Sequence, residues 1–133
     1  MPLDSLCRSY FRSGVISRKK TVILVYPIPE VGWNVPAYAA RLKAHSVGST
    51  NDLTTSHQLF IERNKRAYEA LDDIGEHPNL IRIKPENILC NTYVKGRCVA
   101  QIDGVPLYSD DDHLSNAGAR LVVNEIMRYI VIK

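Results

Sequence analysis

The chain holds 133 residues, 45% of them apolar, with a formal net charge of +3, which suits one domain with its own core and is too little for two. No apolar run approaches the ~20 residues of a membrane span, no apolar stretch of signal-peptide type follows the basic N-terminal residues, and no segment is biased toward disorder. Residues 1–50 carry seven Lys/Arg against two Asp/Glu, but the one dense basic cluster, Arg18-Lys19-Lys20, has no interleaved aromatics, so nucleic acid is not expected as a partner.

In chain order, the first element is a strand over Val22–Tyr26, a β-branched run without polar alternation, as in buried strands. Pro27, Pro29 and Gly32 end it, because proline has no N–H to give a ladder. Pro36–His45 has the composition of a short helix, with proline at its start, Ala39, Ala40 and Leu42 apolar, and Arg41 and Lys43 outward. Residues 48–54 read as a polar connector. Thr55 and Gln58 fit a capping box, which opens a helix running to about Ile74 and stopping at Gly75. Leu59, Phe60, Tyr68, Leu71 and Ile74 form its dry side, and Glu62, Arg63, Lys65, Arg66 and Glu69 its wet one.

Leu80–Ile83 is a second strand, ended by Pro85. Asp103-Gly104 is a hairpin signal between Val99–Ile102 and Val105–Tyr108. A last helix, from Ser115 to about Ile132, turns Ala119, Val122, Val123, Ile126, Met127 and Ile130 inward. Two strand-then-helix passages argue for an α/β layer with parallel pairing, in which sites lie beyond the carboxyl ends of strands. The loops at Pro27–Gly32 and Asp110–His113 both sit at such an end.

The second of these loops carries the chemistry. Asp110 and His113 stand three residues apart before the last helix. An imidazole near its ordinary pKa of ~6.5 takes and returns a proton, while a neighbouring acid fixes its tautomer. Asp111 and Asp112 cannot both join Asp110 on one ion with ordinary backbone, so they read as solvated charges that complement the dipole of the helix behind them. No metal or cofactor is expected. Ser115 reads as that helix's N-cap, and His45, His57 and His77 as structural residues of helix ends and a turn. Trp33 and Tyr38 either line an acyl or sugar pocket or cover the sheet edge. Cys90 and Cys98 are spaced to close a small loop if the chain doubles back, and Cys7 remains as a small, at least half-buried thiol.

In combination these residues resemble a known family. The DxxH of Asp110–His113, running into Leu114-Ser115 and Gly118-Ala119, is similar to the last conserved block of the SGNH hydrolases. The strand ending in Tyr26-Pro27-Ile28-Pro29-Glu30, the pair Val35-Pro36, a central helix with Glu62-Arg63, and the order Pro85, Cys90, Cys98, Leu107-Tyr108 narrow the match. They resemble the C-terminal SGNH domain fused to membrane acyltransferases of family 3, which O-acetylate bacterial surface polysaccharides. The resemblance covers residues 20–131 and leaves 1–19 undefined. It implies a flavodoxin-like three-layer α/β sandwich that performs acyl transfer or ester hydrolysis through a serine ester. By it, His113 is the general base, Asp110 its orienting acid, and Cys90–Cys98 a disulfide formed in the periplasm. The implied partners are an acylated saccharide or acyl donor and a membrane acyltransferase domain.

The departures lie upstream. The family's Gly-Asp-Ser block supplies the nucleophile, and a later Gly and Asn complete the oxyanion hole. All belong before the Pro-Ile-Pro-Glu strand, where this chain has only about twenty residues. It therefore reads as the C-terminal half of such a domain, one partial domain over residues 1–133. Leu3-Asp4-Ser5-Leu6 echoes the nucleophile block without its glycine or a strand before it, and Gly48 to Asp52 echoes the Asn block with one residue too many. Coincidence explains both strings better, and Ser5 stands as the one nucleophile candidate. Two expectations follow: an SGNH-type hydrolase or O-acetyltransferase half-domain built on Asp110 and His113, or an inactive truncated remnant that either complements an N-terminal half-domain or has no role. The family argues for the periplasm, whereas the chain's own N-terminus argues for the cytoplasm.

Overall fold

The computed structural model describes residues 20–45 and 53–130, together with Gly14. Strand β1, Val22–Val25, pairs in parallel with β3, Leu80–Ile83, from Val22 opposite Leu80 to Val25 opposite Ile83. The amide of Tyr26 extends the ladder by donating to the Ile83 carbonyl at 2.9 Å. Between these strands the chain forms helix α1, Val35–Ala44, short strand β2, Thr54–Ser56, and helix α2, His57–Asp72. The architecture is α/β, with the parallel pairing that two strand-then-helix passages require. Leu71 and Ile74, at the end of α2, pack with Val22, Leu24 and Leu80. Val25 is exposed, so β1 is a half-covered strand rather than the buried one its composition suggests.

Two local departures from the sequence reading have one cause. Thr54, expected to end the connector, and Thr55, expected to cap the helix, instead lie in strand β2, Thr54–Ser56, antiparallel to β4, Arg97–Val99, with Thr55 opposite Cys98. The ladder claims Thr55, so the N-cap moves one residue on to Ser56, whose Oγ accepts from the Leu59 amide at 3.2 Å. Gln58 then does not reach back to the cap; it donates to Glu62 one turn ahead. Helix α2 ends where Gly75 takes φ +81°, a left-handed value that suits glycine. After β3 come a single helical turn α3, Glu86–Leu89, then β4, and the two short strands β5, Gln101–Ile102, and β6, Val105–Pro106. Asp103 and Gly104 join β5 to β6 at φ +48° and +77°, the turn the Asp-Gly pair signals.

The main core gathers Val31, Val35, Leu89, Val99, Ala100, Leu107 and Tyr108, with Leu114, Ala117 and Leu121 packed against it. Each aliphatic side chain buried this way contributes about 1.5–3 kcal/mol. Helix α4, Asn116–Ile130, is seated on this core by Gly118. A Cβ at that position would lie 2.1 Å from the Leu107 carbonyl oxygen, so only glycine lets the helix come so close. That approach turns Ala117, Gly118, Leu121 and Val122 inward. Val123, Met127 and Ile130, expected inside, are instead 49%, 42% and 51% exposed, because α4 carries more apolar residues than one seat covers.

The disulfide Cys90–Cys98 is present. It packs against Phe60 and Tyr68, and the loop it closes turns at Asn91 (φ +57°) and Gly96 (φ +73°).

Candidate functional site

The loop from Tyr108 to Leu114 is pinched at its base. Tyr108 and Leu114 form an antiparallel bridge, the Ser109 amide donates to the His113 carbonyl at 2.8 Å, and the Ser115 amide donates to the Leu107 carbonyl at 2.9 Å. Ser115 then caps α4, its Oγ accepting from the Gly118 amide at 3.3 Å and donating to the Pro106 carbonyl at 2.8 Å. A chain closed this tightly over six residues leaves Asp110 and His113 little freedom relative to each other.

Within the loop both oxygens of Asp110 are engaged. Oδ1 accepts the amides of Asp112 and His113 at 3.0 and 2.7 Å, and Oδ2 lies 2.8 Å from His113 Nδ1. The backbone donors, first that of His113 and then that of Asp112, stabilise the carboxylate and lower the Asp110 pKa to about 2. The His113 pKa is raised above its ordinary 6.5, chiefly by the hydrogen bond to Asp110, with the charges of Asp110 and Asp112 adding to it. Asp112 Oδ1 also lies 2.8 Å from Nδ1, so two carboxylates bracket one ring nitrogen. Nε2 is the nitrogen left for a reacting group, on a side chain that is 76% exposed. The ligand atoms of Asp110, Asp112 and His113 fall within 4.8 Å of one another, and these residues are the only group among the described ones able to converge on a cation.

The sequence reading placed the Pro27–Gly32 loop and this one at strand ends; the structure joins them. The amides of Val31 and Gly32 donate to the Asp111 carbonyl at 3.0 and 3.1 Å, and that of Val35 to the Asp110 carbonyl at 3.2 Å. Tyr108 donates its hydroxyl to the Pro29 carbonyl, and burial pushes its pKa up. Gly32 adopts φ +81°, the conformation that lets two successive amides aim at one oxygen. Trp33 and Tyr38 meet with ring centroids 5.0 Å apart. Trp33 is half-buried against the main core and Tyr38 is exposed. Trp33 therefore covers the core while the pair also offers an aromatic face beside the loop.

No hydroxyl among the described residues bonds His113 Nε2. Ser109 Oγ donates to the His113 carbonyl and Ser115 Oγ to that of Pro106. Ser5, Cys7 and the Gly48–Asp52 string lie outside the described residues.

A family model for the SGNH domain fused to AT3 domains matches residues 13–128. The chain belongs to this family. No curated protein and no solved structure gives a match. The matched residues of this SGNH domain include β1, the disulfide and the Asp110–His113 loop; Ser5 precedes them. No described helix is long and apolar enough to cross a membrane.

One cluster of functional residue types went unread in the sequence. His57 Nε2 lies 2.6 Å from Glu86 Oε1, Tyr68 donates to Glu86 Oε2 at 2.8 Å, and Asn91 Nδ2 lies 2.9 Å from His57 Nδ1. Burial, then the Glu86 bond, pushes the Tyr68 pKa up. No local spacing signals this cluster, because α2, α3 and the disulfide loop each contribute to it.

Proposed function

We propose that this SGNH domain performs acyl transfer from, or hydrolysis of, acyl esters of surface polysaccharide, with His113 as general base and Asp110 as its orienting acid. The observation that carries the reading is the Nδ1–Oδ2 hydrogen bond of 2.8 Å, made by an aspartate whose other oxygen is fixed by two amides. That arrangement holds the proton on Nδ1 and leaves Nε2 as the basic nitrogen. A hydroxyl attacks the ester carbonyl while Nε2 takes its proton. The imidazolium, stabilised by Asp110, returns that proton to the departing alkoxide, and the acyl group passes to water or a saccharide hydroxyl. Membership of a family fused to AT3 domains supports a membrane acyltransferase domain as partner and a periplasmic setting, where a Cys90–Cys98 disulfide persists.

The nucleophile separates two versions of this function. Either Ser5 supplies it, or Asp110 and His113 act on a serine that lies outside residues 1–133. The engaged hydroxyls of Ser109 and Ser115 and the exposed apolar stripe of α4 favour the second. The test is turnover of a chromogenic acetyl ester by the purified chain beside His113→Ala and Ser5→Ala. If both variants are inactive, Ser5 is the nucleophile. If all three match buffer while the protein melts cooperatively, the chain has no activity of its own, and addition of a serine-bearing partner domain becomes the decisive arm.

A further inference from the structure

Arg63 lies on the wet face of α2, and among the described residues no carboxylate pairs with it. Among the described arginines Arg82 bonds Glu76 and Tyr26, Arg97 bonds Thr54, and Arg128 bonds Glu125. Arg63 shares its lack of a carboxylate partner with Arg41, Arg66 and Arg120 and differs from them in where it lies. The Arg63 guanidinium lies against Gly32, in the loop that is hydrogen-bonded to the site. Its Nη1 is 3.8 Å from where a Cβ would stand on Gly32, and the Gly32 amide bonds the Asp111 carbonyl. The next residue, Trp33, begins the aromatic pair with Tyr38. The short stretch Gly32-Trp33, bonded to the loop of the exposed imidazole, thus has beside it a guanidinium that no described carboxylate pairs with, and it begins an aromatic pair.

A guanidinium presents parallel N–H donors that match a carboxylate bidentately. Aromatic rings give a flat apolar surface at small conformational cost. The three acids at 110–112 repel an anion that approaches from their own side, so Arg63 fixes where a negative group is admitted. We infer that this domain takes acyl esters of an acidic saccharide, with Arg63 holding the substrate carboxylate and the exposed Tyr38 ring, braced by Trp33, lying under the sugar ring. This rests on the acyl-ester reading above and adds the charge of the substrate to it.

The test is a titration of the full-length ¹⁵N-labelled chain with glucuronate, glucose and acetate, followed by NMR. Glucuronate is expected to shift the Gly32 and Trp33 amides and the Arg63 Nε–H saturably, with glucose and acetate each roughly tenfold weaker or more. Arg63→Gln is expected to lose at least about tenfold in glucuronate affinity, and Arg63→Lys to fall between. A glucuronate response no stronger than that to glucose overturns the assignment, as does an Arg63→Gln chain that titrates like wild type. An acetate response as strong as that to glucuronate overturns its saccharide part. The readout needs no turnover. A chain that binds glucuronate as expected yet hydrolyses no ester, with or without a serine-bearing partner, contradicts the hydrolase reading alone. An active chain blind to glucuronate contradicts this inference alone.

Discussion

Two histidine–carboxylate pairs stand among the described residues, and they differ in what is left over. In the pair beside the disulfide both ring nitrogens of His57 are tied: Nε2 to Glu86 at 2.6 Å and Nδ1 to Asn91 at 2.9 Å. Asn91 Oδ1 accepts from the Gly96 amide at 2.6 Å, so its NH₂ faces His57, Nδ1 accepts, and Nε2–H donates to Glu86. The ring is 15% exposed. In the loop pair, Asp110 and Asp112 take Nδ1 alone, and the ring stands in solvent. The shorter, more buried contact is the one that leaves no ring nitrogen free. What marks a histidine for proton transfer is a free nitrogen beside a fixed one, not the closeness of its acid.

Substitutions sharpen that contrast. The largest effect is expected from His113→Ala, which removes the proposed base and, with the serine supplied, lowers ester turnover by about 10³-fold while urea unfolding stays that of wild type; a wild-type rate breaks the contrast. Gly118→Ala acts on the seat of the loop instead. A Cβ 2.1 Å from the Leu107 oxygen and 3.0 Å from its carbon cannot be absorbed by a rotamer change, and a loss of about 3 kcal/mol in urea unfolding is expected. Reducing Cys90–Cys98 frees the loop that carries Asn91 and is expected to cost roughly 2–3 kcal/mol, read as a lower melting temperature in dithiothreitol. Glu86→Ala leaves the His57 N–H and the Tyr68 hydroxyl without their acceptor, for about 2 kcal/mol of stability, with ester turnover retained. Lost turnover in a folded Glu86→Ala chain contradicts its structural role.

Much of this was legible in the sequence, and the unread parts share a reason. Leu80–Ile83, the Asp103-Gly104 turn, the Ser115 cap and the Asp110–His113 spacing were legible because each is decided within a few residues. The shift of the α2 cap from Thr55 to Ser56 was not, since it follows from a ladder with residues more than forty positions away. The buried face of α4 was missed for a similar reason: the periodicity admitted more than one face, and Gly118 against Leu107 chose between them. The joining of residues 31–35 to Asp110 and Asp111 runs through backbone groups, and side-chain patterns carry no trace of that. On sequence alone Arg63 is a wet-face cation of α2 and part of the Glu62-Arg63 pair of the family resemblance, with nothing to place it beside Gly32.

The pH response follows from the same loop. Asp110, with its pKa lowered to about 2, stabilises the folded chain above the ordinary carboxylate range and loses that contribution as pH falls toward 2. His113, with its pKa raised, stabilises the fold fully below about 6.5 and loses that contribution as pH climbs through its folded value. The two contributions overlap between about pH 4 and 6.5.

The most direct test of the Asp110–His113 pair is an NMR pH titration of the His113 ring in wild type and in Asp110→Asn, because it reads the acid–base coupling whether or not a nucleophile is at hand. The prediction is a wild-type midpoint above 6.5 that falls when Asp110 loses its charge. A wild-type midpoint at or below 6.5, unmoved by the substitution, would contradict the assignment of His113 as a base tuned by Asp110.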